Sequence, residues 1–248
     1  MSNAQLLDVV AVGKLHERLG FSTPLDYPEE SMRRSLSDWK MEVDDAPILR
    51  YIYRHKRPAR HLEFGTWEGT GACYCLDECE AQVWTINLPD GERVDGKPLY
   101  YSTPDEIPAG AVPADVRADV PVYQTDAGTF IGHRYRSAGY SHRVTQIYCD
   151  SRQWDASEFS SGFFDTVLID GGHSEEVALS DTHKALSVVR RGGLILWHDF
   201  CPDPSVFHVM PSVVGVVGAL SRHWPEIAGQ LQQAFWIQPS FLLAGIRS

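Results

Sequence analysis

Residues 61 to 76 read HLEFGTWEGTGACYCL, a short apolar run that passes into a helix-like segment through a loop holding Gly65, Gly69 and Gly71. A strand that turns into a helix through glycines lets the backbone approach a ligand that side chains would exclude, and it aims helix N-terminal N–H groups at that ligand. The spacing disfavours two common occupants. A dinucleotide fingerprint needs G-x-G-x-x-G, but counted from Gly65 those positions hold Trp67 and Thr70. A phosphate-cradling loop needs Gly-Lys followed by Ser or Thr, and the chain has no such triplet.

Four apolar runs suit buried parallel strands: HLEF (61–64), QVWTIN (82–87), VTQIYCD (144–150) and DTVLID (165–170); LILWHD (194–199) adds a fifth. Between the last two, SEEVALSDTHKALSVVRRGG predicts a helix capped by Ser174, with Glu175 and Glu176 at its positive start, Arg190 and Arg191 at its negative end, and Gly192 as terminator. AFWIQPS and FLLAGIRS are close enough to pair as a C-terminal hairpin, and PSVVGVVGALSRHW reads as an apolar helix packed on the sheet. Residues 1–58 predict a helical cap. It includes LLDVVAVGKLHERLG and a helix from 44 to 58, with Asp44 or Asp45 as cap, Pro47 in its first turn and Pro58 at its end. One domain over 1–248 follows, of the α/β class. Its core at 59–248 holds a doubly wound, mostly parallel seven-stranded sheet with a C-terminal antiparallel hairpin. Residues 88–143, rich in proline, form too long a connection for a compact domain and are expected to be a lid or insertion carrying substrate contacts, with Tyr100, Tyr101, Tyr123 and Tyr135 to pack it.

The bulk of the chain narrows its partners. With 22 basic and 33 acidic residues, a net charge of −11 disfavours nucleic acid, whose phosphates need clustered Lys and Arg. No apolar run reaches the ~20 residues that span a bilayer, and MSNAQLLDVV lacks the order of a signal peptide, so a cytoplasmic protein is expected. Cys73, Cys75, Cys79, Cys149 and Cys201 are then free thiols; the first three are small packing residues on a helix rather than a zinc site. The helical N-terminus is a candidate homodimer interface.

What remains of the loop is E-x-G-x-x-x-G-x-G with Glu63 on the strand end, and this resembles the first motif of class I S-adenosylmethionine-dependent methyltransferases. The resemblance implies a Rossmann-like fold and S-adenosyl-L-methionine as cofactor, contacted by Glu63, Gly65, Thr66, Gly69 and Gly71. It places Asp150 and Ser151 at the adenine. The family's second strand ends in an acid that grips the ribose hydroxyls, and here Asn87 stands in its place, which brings no charge and suggests a share for Asp90. Residues 164–200, FDTVLIDGGHSEEVALSDTHKALSVVRRGGLILWHDF, are similar to the subgroup of catechol-type, macrolide-sugar-type and cephalosporin-cluster enzymes, many of which bind a divalent cation.

Asp170 and Asp199 each close a strand and should converge at the carboxyl ends of the sheet. The resemblance implies Asp170, His198 and Asp199 as ligands of Mg²⁺ or another divalent cation that would lower the pKa of a substrate hydroxyl. It also makes Asp170 a cofactor contact and, with His173, catalytic; His173 is the general base that takes the proton of a small-molecule hydroxyl. Two other classes stay open: a non-haem iron oxygenase built on Asp170, His173 and His198, which lacks the usual β-barrel pattern, and a non-catalytic S-adenosylmethionine-binding module, which would have no need of those side chains.

Overall fold

The computed structural model describes residues 7–88, 131–207 and 210–248 and, between 88 and 131, the backbone of 93–94, 97–98, 112–117, 120–125 and 128–129. Eight strands form one sheet: β1 (Asp8–Ala11), β2 (Arg60–Phe64), β3 (Gln82–Asn87), β4 (Val144–Tyr148), β5 (Phe164–Ile169), β6 (Val189–Trp197), β7 (Leu231–Gln238) and β8 (Leu242–Arg247). Their order is β1-β7-β8-β6-β5-β2-β3-β4, parallel throughout except that β8 runs against both neighbours. The chain winds outward from β2 in both directions, so the switch point lies between β2 and β5. Ligands of open α/β sheets bind in the crevice at such a point.

Side-chain alternation builds three layers. On β6, Leu194 and Leu196 meet helix α1 (Ala46–Lys56) and helix α2 (Thr70–Glu78) through Ile48, Ile52, Ala72 and Cys75. Ile195 and Trp197 face the other way, toward helix α3 (Glu175–Val188) and helix α4 (Pro211–Ala228) through Ala185, Val213 and Leu220. Fully burying a side chain such as Ile52 stabilises by about 1.5–3 kcal/mol. Cys73 and Cys75 lie on α2 and Cys79 just beyond it, and all five thiols are free. Among the described residues no helix is long and apolar enough to cross a membrane.

Three local expectations are corrected. The sheet gains an eighth strand because Val9 and Val10, expected in a helix, pair in register with Trp236 and Ile237 at the sheet edge, where β-branched residues fit a pleated ladder. Helix α3 does begin at Ser174, whose Oγ accepts the Val177 N–H at 3.3 Å, but it stops at Val188. Val189 pairs with Phe164 and draws Arg190 into β6, where its Nε donates to Asp165 at 2.7 Å instead of serving a helix end. Asp44 and Asp45 cap nothing: a π-helical turn, Met41–Asp45, precedes α1 and buries both carboxylates. Within 88–143 the described backbone holds an antiparallel ladder of Val112–Arg117, Val120–Thr125 and Gly128–Thr129, a short pair at Arg93–Val94 and Lys97–Pro98, and a helix at His133–Ser137. Asp90, Tyr100 and Tyr101 lie outside the described residues, as does the side chain of Tyr123.

The glycines after β2 answer first to protein contacts. Gly65 has φ +94, and a Cβ there would stand 1.9 Å from the Asp170 carbonyl oxygen, because β2 and β5 approach closely at the switch point. A Cβ on Gly71 would stand 2.0 Å from Glu63 Oε1, and one on Gly69, at φ +92, would stand 2.8 Å from Tyr135 Cδ1. Glu63 is buried, accepts from Thr85 Oγ1 at 2.7 Å, and is pushed up to about 8, burial being the main cause.

Two outcomes are expected. Gly139 has φ +82 with open space around it, so Gly139→Ala tests backbone strain alone, about 1 kcal/mol, whereas Gly65→Ala adds a backbone clash and should cost more than about 3 kcal/mol in urea unfolding. Glu63 holds its proton in the native state well above the pH at which the unfolded chain releases it. Stability should therefore fall as pH rises from the unfolded value toward about 8, and Glu63→Gln should flatten that slope while matching wild type below the unfolded value of 4.5.

Candidate active site

The crevice at the switch point is bounded by the ends of β2, β5 and β6. Asp170 follows β5, and its N–H donates to Phe64 O at 2.8 Å; His198 and Asp199 follow β6, where the His198 N–H donates to Ile169 O at 3.0 Å. Asp199 adopts φ +54, a left-handed conformation uncommon outside glycine, and the Phe200 N–H holds that bend by donating to Phe241 O at 3.0 Å. His173 lies in the link from β5 to α3. Helix α4 pins that link from behind: a Cβ on Gly215 would stand 1.8 Å from the His173 carbonyl oxygen.

Three of the expected residues and one unexpected one meet through His198. Its Nδ1 lies 3.1 Å from Asp170 Oδ1 and 3.2 Å from Asp199 Oδ2, and its Nε2 lies 3.4 Å from Asp45 Oδ2. Burial lowers the affinity of His198 for its proton, yet the carboxylates of Asp170, Asp199 and Asp45 override it and hold the imidazole well above its ordinary value. Asp45 is itself pushed up by burial, against the pull of His198. Asp45 Oδ1 also accepts from Trp39 Nε1 at 3.1 Å and Phe241 N at 3.2 Å. The helix-capping pattern hid this residue from a sequence reading: two consecutive aspartates before Pro47 look like a cap.

His173 Nε2 lies 3.0 Å from Asp199 Oδ2. Burial would raise Asp199, but His173 and His198 together hold it well below the usual carboxylate range. One ligand atom from each of Asp170, His173 and Asp199 lies within 4.8 Å of the others, a set able to close on a cation, and Asp199 Oδ1 is buried without a hydrogen bond. His198, the expected third ligand, faces carboxylates with both ring nitrogens.

The other expected cofactor residues are placed as follows. Glu63 lies behind the glycine loop, and Thr66 is buried beneath it, its Oγ1 2.7 Å from Thr85 Oγ1 and accepting from Gln146 Nε2 at 2.8 Å. Tyr135, from the end of the 88–143 segment, donates to Gln146 Oε1 at 3.0 Å, and Arg134 pairs with buried Glu68, so that segment is fastened to the loop at its far end. Neither Gln146 nor Glu68 was foreseen, since a single polar residue in a strand or loop carries no spacing signal. Asn87 closes β3 and turns its amide to the loop backbone. Asp150 follows β4 and is held low by Arg152, which donates to it from Nε at 3.1 Å and also pairs with Glu176. The Ser151 carbonyl accepts from Lys184.

Two solved structures share this architecture. The S-adenosylhomocysteine-bound methyltransferase of Podospora anserina is 16% identical, with 88% of this chain and 84% of that one covered at a TM-score of 0.55. The O-methyltransferase from Bacillus cereus, also bound to S-adenosylhomocysteine, is 14% identical, with 88% of each chain covered at a TM-score of 0.51. No curated protein matches at the sequence level. The methyltransferase-domain family profile matches residues 62–200, more than half of the chain, from within β2 to just past the bend at Asp199. The protein belongs to that family, and is a class I S-adenosylmethionine-dependent methyltransferase.

Proposed function

We propose that the protein is an O-methyltransferase that methylates a hydroxyl of a small natural product or sugar moiety in the cytoplasm, with His173 as general base. The observation that carries this reading is the pairing of His173 Nε2 with Asp199 Oδ2 at 3.0 Å beside the switch-point crevice. Asp199 accepting from Nε2–H fixes the tautomer whose lone pair is on Nδ1, the nitrogen that takes the acceptor's proton; the same carboxylate then stabilises the imidazolium. His198, itself set against Asp45, holds Asp199 from the other side, so the base and its partner move little.

S-adenosylmethionine supplies, when bound, an electrophilic methyl on a cationic sulfur, and an acid-lined crevice suits that charge. Asp170, a third exposed and paired to His198, faces the crevice and is the proposed cofactor contact nearest the methyl. The glycine loop from Gly65 to Gly71 lends backbone to the methionine part, with Glu63 and Thr66 shaping it from behind; Asp150 and Ser151 flank the adenine. The two solved neighbours, both bound to S-adenosylhomocysteine, support the cofactor's identity. The iron-oxygenase and non-catalytic readings have no footing in a methyltransferase family.

A second reading rests on the Asp170, His173 and Asp199 cluster and the unpartnered Asp199 Oδ1. These residues would hold a divalent cation, whose chemistry would be to lower the pKa of a coordinated hydroxyl. His173 then becomes a ligand and cannot also be the base.

Methyl transfer from labelled S-adenosylmethionine to a panel of phenols and glycosides tests the activity. His173→Ala should lower turnover about 10²–10⁴-fold while calorimetry shows S-adenosylhomocysteine binding unchanged; full turnover in the variant removes the base assignment. Turnover that survives exhaustive chelation favours the His173–Asp199 pair, whereas loss restored by Mg²⁺ or Mn²⁺ favours the cation.

A further inference from the structure

Asn87 stands where an acid is expected to grip the cofactor's ribose, and its amide is already committed. Oδ1 accepts the backbone N–H of Thr66 at 3.1 Å and that of Trp67 at 3.0 Å, and Nδ2 donates to the Leu88 carbonyl at 2.9 Å. The partners themselves fix the amide's orientation, since two donors face one end and a carbonyl faces the other. Both lone pairs of Oδ1 are used, and one N–H is left over. A vicinal diol is best gripped by a carboxylate that accepts from its hydroxyls; Asn87 has no acceptor to give.

The same bonds show what Asn87 does instead. The loop turns sharply after Gly65: the Gly69 N–H returns to Thr66 O at 2.7 Å, and Trp67 is held at φ +43, which a bulky residue rarely adopts. The two N–H groups of that turn point back at the end of β3, where Asn87 is held in register opposite Tyr148. An acceptor at position 87 is therefore needed to keep the turn's donors paired. An aspartate would keep those two bonds, but its second oxygen would face the Leu88 carbonyl and be repelled toward the crevice.

Resting on the S-adenosylmethionine reading above, we infer that Asn87 is the anchor of the glycine loop and does not accept the cofactor's ribose hydroxyls. Asn87 is thus a positioning residue for the loop, and Asn87→Asp should add a charged acceptor for the ribose.

Calorimetric titration of the full chain with S-adenosylhomocysteine and its 2′-deoxy analogue tests this. The ratio of the two affinities in the wild type is the reference. Asn87→Ala should weaken both ligands by the same factor, within about threefold, as expected when the loop loses its anchor, and Asn87→Asp should widen the ratio by at least about tenfold, since a hydroxyl gripped by a charged acceptor is worth about ten- to a hundredfold. An Asn87→Ala variant that loses about tenfold or more for S-adenosylhomocysteine and little for the deoxy analogue overturns the inference, because Asn87 then grips the hydroxyl. A wild type that binds neither ligand fells the cofactor reading instead. Should Asn87→Ala fail to fold, an Asn87→Asp ratio equal to that of the wild type overturns the inference in its place.

Discussion

The junction at His198 is the interaction on which the site depends. Asp45, Asp170 and Asp199 come from three separate parts of the chain and converge on one imidazole. Carboxylates this close repel one another, the more so because Asp45 and Asp199 are buried, and a proton held by His198, with His173 beside Asp199, offsets that repulsion. Remove the cation and the acids must separate or take up protons. The arrangement thus ties the N-terminal cap to the ends of β5 and β6 electrostatically as well as by packing.

The π-helical turn before α1 makes that tie possible. A regular helix turns consecutive side chains about 100° apart around one axis, and the wider turn at Met41–Asp45 buries two neighbouring acids in different surroundings. Asp44 pairs with Arg34 at 3.0 Å and accepts from Ser31, which closes the cap on itself. Asp45 reaches inward to Trp39, the Phe241 N–H and His198. One acid holds the cap together and the next makes the cap part of the site.

On the opposite side of the crevice, a chain of hydrogen bonds fastens the glycine loop. Tyr135 donates to Gln146, Gln146 to Thr66, Thr66 lies within bonding distance of Thr85, and Thr85 donates to Glu63. With Asn87 holding the loop's N–H groups, the loop is braced from three directions before any ligand arrives. Such bracing lowers the ordering cost of binding. The loop's glycines are required by neighbouring protein atoms as much as by a ligand.

Much of this was legible in the sequence because it depends on local chemistry. Apolar runs of strand length, the Ser174 cap, the hairpin after residue 231 and the motif from Glu63 to Gly71 are each encoded in a few adjacent residues, and the strand-closing positions of Asp170 and Asp199 followed from them. What the sequence could not determine is which side chain meets which across the fold. Val9 and Val10 became a strand only because an edge of β7 lay open, and Arg190 left its helix because Phe164 offered Val189 a partner. Asp45 read as a helix cap until tertiary structure set it beside His198, more than 150 residues away, and nothing at the end of a strand announced that Asn87 would accept the loop N–H groups of Thr66 and Trp67. Hydrogen bonds and ion pairs of this kind join groups far apart in the chain, so their partners exist only once the backbone has brought them together.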